Sequence, residues 1–121
     1  MKKEFISMSV IAVSTVTFSL ASAMNHTTVE QGKKHFNNVS FAGGKNSCNT
    51  CHFNGSGLEN AGQKTKFTIM GGEQNSLAEV INVCIINANR GQAIPVDSKE
   101  MQEIISYIKS LGENVAPGPG K

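Results

Sequence analysis

The sequence predicts a small all-α domain, and three observations support this class. Three segments each begin with a capping side chain three residues ahead of a glutamate, an arrangement that satisfies free N–H groups at a helix N-terminus. These pairs are Thr27 with Glu30, Ser76 with Glu79, and Asp97 with Glu100. Apolar residues follow each pair at helical spacing. No stretch alternates apolar and polar residues for long enough to predict a sheet.

The three predicted helices have defined faces and ends. The first runs from Thr27 to Asn37-Asn38. The second runs from Ser76 to the stretch Asn89-Arg90-Gly91, and the third runs from Ser98 to Gly112, since glycine commonly ends helices. Their apolar faces carry, in order, Val29, Gly32 and Phe36; Leu77, Val80, Ile81, Cys84, Ile85 and Ala88; and Met101, Ile104, Ile105, Ile108 and Leu111.

Both ends of the chain are expected to lie outside the domain. Residues 1–23 have a basic start, an apolar run and the small-residue signal Ala21-Ser22-Ala23, which predict a signal peptide cleaved after Ala23. A retained membrane anchor is the alternative, but the run is short and contains hydroxyl side chains. We therefore expect a periplasmic protein without stable membrane insertion, a domain over residues 24–113, and a disordered tail over 114–121.

The composition of residues 24–121 limits the possible partners. The segment carries nine basic and eight acidic residues and no basic stripe, so nucleic acid is not expected as a partner. A chain of this length has difficulty burying enough apolar surface to be stable, and a bound cofactor would add to its core. Export also leaves an odd number of cysteines, Cys48, Cys51 and Cys84, in an oxidising compartment.

The stretch CNTCH, from Cys48 to His52, is the most specific motif. A thioredoxin-like redox pair would accompany a βαβ pattern, for which the sequence has no strands. A structural zinc site would need a fourth ligand from Cys84 or a distant histidine. The spacing is typical of c-type haem attachment, in which both cysteines form thioethers and the histidine binds the iron. We therefore predict one covalently bound haem c, held by Cys48 and Cys51, with His52 as the proximal iron ligand.

With this motif, the chain resembles the cytochrome c family over nearly all of residues 24–113. Gly32 and Phe36 are similar to the glycine and aromatic of the family's first helix. Ile104 and Tyr107 are similar to the aliphatic and aromatic pair of its last helix. The resemblance implies a small domain wrapped around one haem, in which the first and last helices cross closely at these residues.

Two departures from the family leave ligand assignments open. Ile94, before Pro95, stands where the family usually carries its methionine ligand, and no proline lies between His52 and Pro95 to supply the carbonyl that orients the histidine. Cys84 is the first candidate for the distal position, because it is the spare thiol and lies on the apolar face of its helix, which is expected to face the haem. The stretch Ile81-Asn82-Val83-Cys84 also resembles haem domains of thiosulfate dehydrogenases, in which a cysteine ligates iron. Met101 is the alternative.

Other residues are weaker candidates for the distal ligand. Met70 precedes a glycine pair in a segment expected to be flexible. His35 lies beside the apolar face of the first helix and is expected to be a solvated surface histidine. A free cysteine on an apolar face often serves only as a small hydrophobe, and a methionine on such a face often fills core space.

Two functions follow from these patterns. The first is a one-electron carrier in a respiratory chain, with a redox protein as donor and another as acceptor, and with a link to sulfur-compound oxidation. The alternative is the haem subunit of a thiosulfate- or sulfur-oxidising enzyme, part of a larger redox complex. The enzyme hypothesis is less favoured because Arg90 is the only arginine available for an oxyanion pocket. Gas sensing would need an effector domain, and residues 24–121 are expected to form only one small domain.

Overall fold

The computed structural model describes residues 20–113, with side chains from Asn25 onward. Four α-helices form most of this region: α1 (Leu20–Asn37), α2 (Cys48–Cys51), α3 (Leu77–Asn87) and α4 (Lys99–Glu113). Short 3-10 turns lie at Phe41–Gly43, Phe53–Gly55 and Ala61–Gln63. The predicted signal peptide lies mostly outside the described residues, and the predicted tail lies entirely outside them. No helix within residues 20–113 combines the length and apolarity needed to span a membrane.

The crossing of α1 and α4 forms the centre of the core. Gly32 is buried at the crossing, where a Cβ atom would overlap the carbonyl oxygen of Glu103 and lie 2.9 Å from Cβ of Tyr107. Phe36 packs edge-on against Tyr107 with ring centroids 5.1 Å apart, and Ile104 is fully buried. The close approach predicted for the first and last helices at these residues is therefore confirmed.

A second backbone approach lies on another face of α4. A Cβ atom on Gly62 would lie 2.8 Å from the Lys109 Cα, and one on Gly112 would lie 2.5 Å from the Glu59 carbonyl oxygen. The segment around Ala61–Gln63 therefore packs directly on the last two turns of α4. The helix α4 runs through Gly112 to Glu113, so the predicted end at Gly112 is one residue short. The close contact with Glu59 leaves room only for a glycine at this position.

The predicted helix starts agree with the structure to different degrees. At α3, the Ser76 hydroxyl accepts the Glu79 backbone N–H at 3.2 Å, which confirms Ser76 as the cap. At α4, Ser98 accepts the Met101 N–H at 3.2 Å, so Ser98 and not Asp97 is the capping side chain. The predicted start at Thr27 is wrong: α1 begins at Leu20, because the preceding leucine, alanines and methionine are good helix formers.

A short hairpin corrects the expectation of a purely α-helical chain. Strands β1 (Phe67–Ile69) and β2 (Gly72–Gln74) pair antiparallel, with Thr68 opposite Glu73. The two-residue loop between them has positive φ at Met70 and Gly71, as tight hairpin turns require. Three-residue strands are too short to produce a recognisable alternating pattern. The described residues thus form a mostly helical domain with one small hairpin.

Candidate cofactor site

The two cysteines of the CNTCH motif lie on the single turn that forms α2. The Ser47 backbone N–H donates to the Thr50 hydroxyl at 3.3 Å, which holds the start of this turn. Residues three apart on a helical turn lie on neighbouring positions of its surface. Cys48 is half-buried, Cys51 is exposed, and both are free thiols. Burial raises the pKa of the Cys48 thiol, so that the neutral form is favoured there.

His52 ends this turn with one ring nitrogen already engaged. Its Nδ1 lies 3.1 Å from the Ser56 carbonyl oxygen, which can only accept, so we assign the proton to Nδ1. The other nitrogen, Nε2, then keeps its lone pair and can bind a metal ion. Ser56 is thus the acceptor that sequence reasoning left unassigned.

The loop after His52 places this carbonyl by an unusual backbone path. Asn54 and Gly55 both adopt positive φ values, of 51° and 81°. The Asn54 N–H donates to the Asn49 side chain at 2.8 Å, which ties the loop back to α2. Asparagine and glycine tolerate this left-handed backbone better than other residues. The turn therefore replaces the proline-bearing segment that the family resemblance would imply.

An apolar cleft lies between α2, α3 and α4. Its residues are Phe36, Cys48, His52, Leu58, Leu77, Val80, Ile81, Cys84, Ile104 and Ile108. The space between them is a cavity of about 50 Å³. Hydrocarbon side chains form nearly the whole wall, and the nitrogen and sulfur atoms among them belong to Cys48, His52 and Cys84. The cleft thus combines a water-excluding wall with a small number of donor atoms.

Cys84 enters the cleft from α3, as its position on the apolar stripe predicted. The residue is half-buried, and burial raises the pKa of its thiol; the nearby Cys48 and Cys51 add to this effect. The stripe of α3 brings Leu77, Val80 and Ile81 to the same wall. The three cysteines therefore lie in one region of the domain, although 36 positions separate Cys48 from Cys84.

The alternative ligands lie elsewhere in the described chain. Met101 is fully buried in the core and is not among the residues that form the cleft. Met70 is 67% exposed in the hairpin turn. The expectation of a solvated His35 is wrong: its Nε2 lies 2.9 Å from Oε2 of the buried Glu103, and its ring packs on Phe41 at 4.9 Å. The charge of Glu103 needs a partner in the core, which explains this placement.

The loop where the family resemblance would place a methionine ligand is fixed in place by α3. The Asn82 side chain accepts the Ile94 N–H at 2.9 Å and donates to the Ile94 carbonyl at 2.8 Å. Ile94 is partly buried and packs against the core cluster. An asparagine two positions before Cys84, within an apolar stripe, was the sequence signal for this contact, which sequence reasoning missed.

The donor atoms at this site are those that a c-type haem needs. Two thiols on one turn, an imidazole with a free Nε2 and an apolar wall match what covalent attachment and iron ligation need. Cofactor sites commonly enclose ≈ 300–1,000 Å³, so a cavity of about 50 Å³ must widen to take a porphyrin. The chemistry of the residues fits the group, provided that the walls of the cleft can move apart.

A structural zinc site needs four ligands in a tetrahedral arrangement. Within residues 20–113, no group of three or more histidine, cysteine, aspartate or glutamate side chains is placed to hold a metal ion.

Comparison of the chain with protein-family models, curated proteins and solved structures finds no match.

Proposed function

We propose that this protein is an exported monohaem c-type cytochrome that carries single electrons in a periplasmic respiratory chain linked to sulfur-compound oxidation. Cys48 and Cys51 would hold the haem, and His52 would be the proximal iron ligand. When bound, the haem supplies an iron that exchanges one electron between the ferric and ferrous states. A redox protein would serve as donor, and another would serve as acceptor.

One observation supports this proposal above the others. In the described chain, the cleft presents His52 with a free Nε2 and Cys84 as its available iron ligands, inside a wall of hydrocarbon side chains. Cys48 is the third donor, and it would be used in the thioether bond. The Ser56 carbonyl fixes the tautomer and the ring orientation of His52. Each donor atom in the cleft thus has one role in haem binding.

Cys84 is the proposed distal ligand. A cysteine sulfur donates electron density to iron and favours the ferric state, which gives the site a low reduction potential. Met101 would have to leave a fully buried position in the core to reach the cleft. Loss of that packing would cost on the order of 2–5 kcal/mol, by analogy with the removal of a buried methionine side chain. The structure therefore favours Cys84 over Met101.

The same cysteine motivates a second candidate function. The stretch Ile81-Asn82-Val83-Cys84 resembles thiosulfate dehydrogenase haem domains, in which a cysteine ligates iron, and Cys84 faces the cleft. In this alternative, the chain is the haem subunit of a thiosulfate- or sulfur-oxidising enzyme. Formation of a sulfur–sulfur bond releases a pair of electrons, whereas one haem accepts a single electron. The enzyme would therefore need a further redox partner, so the carrier is the first choice.

The proposal is tested by producing the chain in a host that attaches haem c. Wild-type protein should carry one covalent haem, and its ferric spectrum should show thiolate features that disappear in Cys84→Ala and persist in the control Met101→Leu. Absence of covalent haem in the wild type would refute the proposal. A near-infrared band typical of methionine ligation, unchanged in Cys84→Ala, would refute Cys84 as ligand. Turnover of thiosulfate with an artificial electron acceptor would favour the enzyme.

A further inference from the structure

Helix α3 is apolar on nearly all sides, although the domain covers only part of it. Leu77 and Val80 face the cleft, and Ala78 and Ile85 are buried in the core. Ile86 lies on the side of the helix opposite the cleft and is 49% exposed. A helix that is hydrophobic all round is normally buried. The outer side of α3 is therefore a candidate for contact with another molecule.

The loop after α3 extends this exposed apolar surface. The Asn82 amide bonds both backbone groups of Ile94, at 2.9 and 2.8 Å, which fixes the loop beside the helix. Asn82 lies four residues before Ile86, so the two side chains are neighbours on the surface of α3. Val96, two residues past Ile94, is 51% exposed. We define the α3 patch as the exposed or half-buried residues Val83, Ile86, Asn87, Pro95 and Val96.

The patch differs from the other surfaces of the domain in its charge. Between Glu79 and Asp97, Arg90 is the only charged residue, whereas α4 carries a charged residue in every turn. Scarcity of charge combined with exposed apolar side chains is typical of the centre of a protein interface. The patch therefore has the composition of an interface centre and not that of a solvated helix face.

Opposite charges lie at the two ends of the patch. Glu79 comes four residues before Val83, and Arg90 comes four residues after Ile86. A two-fold axis that places Val83 against Ile86 of a second copy therefore also brings Glu79 close to Arg90 of that copy, and this pair occurs twice. Within residues 20–113, neither Glu79 nor Arg90 forms an ion pair. The surface is thus complementary to itself in both apolarity and charge.

We propose that the α3 patch is the contact surface of a two-fold symmetric dimer of this chain, in which the two α3 helices run antiparallel. Val83 and Ile86 of both copies form its apolar centre. Glu79 of each copy pairs with Arg90 of the other at the rim. The patch spans only about two helical turns and one loop, so the dimer should be weak and dissociate on dilution. Its location opposite the cleft makes the dimer independent of the haem.

The test measures the dimer dissociation constant by analytical ultracentrifugation over a concentration series, with the chain produced in a haem c-attaching host. Ile86→Asp places a charge at the apolar centre and should raise the constant by about 100-fold or more. Met70→Asp is the matched control, because Met70 is also exposed but lies in the hairpin turn, where aspartate tolerates the left-handed backbone. It should match wild type. The helix signal in circular dichroism reports the folding of each variant.

Glu79→Gln and Arg90→Gln test the antiparallel arrangement. Glutamine keeps the acceptor that Glu79 offers to the Asn75 N–H, so the start of α3 is preserved. Each single variant loses both symmetric pairs and should raise the dissociation constant about fivefold. The double variant should be no weaker than either single variant, because no pair remains to be lost.

Wild-type protein that stays monomeric up to about 1 mM would overturn the inference. Loss of binding to a redox protein in Ile86→Asp would then assign the patch to that partner. A dimer whose dissociation constant is unchanged in Ile86→Asp would also overturn the inference, as would additive losses in the double variant. Wild-type protein that folds without haem would instead refute the proposed function and not the dimer.

Discussion

Replacement of Gly32 by alanine tests the close crossing of α1 and α4. The new Cβ atom would overlap the Glu103 carbonyl oxygen and lie 2.5 Å from the carbonyl carbon, where ordinary contact begins at 3.4 Å. The backbone of α4 would therefore have to retreat by about 0.9 Å at that carbon alone. Backbone atoms cannot rotate away as side chains can, so the whole crossing has to open.

The expected cost follows from two opposing effects. Overpacking of a well-packed core costs typically 1–3 kcal/mol, and a contact with backbone belongs near the upper end of this range. Alanine is better than glycine in a helix interior by about 1 kcal/mol. The net expectation is a loss of about 2 kcal/mol in the free energy of unfolding. The Phe36–Tyr107 ring contact should loosen as well, because both rings lie at the same crossing.

Urea unfolding followed by circular dichroism measures this loss directly. Lys33→Ala is the matched control, because Lys33 is the next residue of α1 and is exposed. This control should stay within about 0.5 kcal/mol of wild type. A Gly32→Ala protein as stable as wild type, or more stable by the helix-propensity gain, would show that the two backbones are not this close.

Two further predictions concern titratable side chains of α4. Glu103→Ala should lower the free energy of unfolding by about 1–3 kcal/mol, because it leaves the half-buried His35 without its partner. Lys99→Ala should lower the free energy of unfolding by less than about 0.5 kcal/mol, because the exposed Lys99 ammonium meets the same carboxylate at 3.5 Å. Equal losses for Glu103→Ala and Lys99→Ala in urea unfolding would contradict this ranking. Burial raises the pKa of Tyr107 above its usual value near 10. The unfolded chain then loses this proton at lower pH than the folded chain, so the stability of the wild type should fall as pH rises past about 10. The fall should be less steep in Tyr107→Phe. Parallel pH profiles of the two proteins in thermal unfolding would refute this linkage.

Features encoded by neighbouring residues were predictable from the sequence. The cap at Ser76 and the stripe of α3 each involve residues within a few positions of one another, so local spacing was enough to place Cys84 on the face that meets the cleft. The crossing at Gly32 came from a family resemblance, and the packing agrees with it. In contrast, the start at Thr27 was wrong because helix-forming residues before a capping pair can simply extend the helix.

The missed contacts depend on the tertiary arrangement or on unusual backbone angles. Ser56 reaches His52 only because Asn54 and Gly55 adopt left-handed conformations, which spacing alone does not reveal. Asn89 meets Cys48 only after α3 has packed beside the segment leading into α2. Periodicity placed both Met101 and Cys84 on inward faces, but it does not show which neighbours a residue meets there.

The two backbone contacts on α4 determine how the cleft can open. One face of α4 is in contact with α1 at Gly32, and another is in contact with the segment around Gly62, in both cases at distances that leave no room for a side chain. Ile104 and Ile108 therefore form a stationary wall, because α4 can neither roll nor slide without collision on one side or the other. The space that the proposed haem needs would therefore come from displacement of α3 or of the loop after His52. The proposed haem would therefore enter from the side of α3 or of the loop after His52, while α4 stays in place.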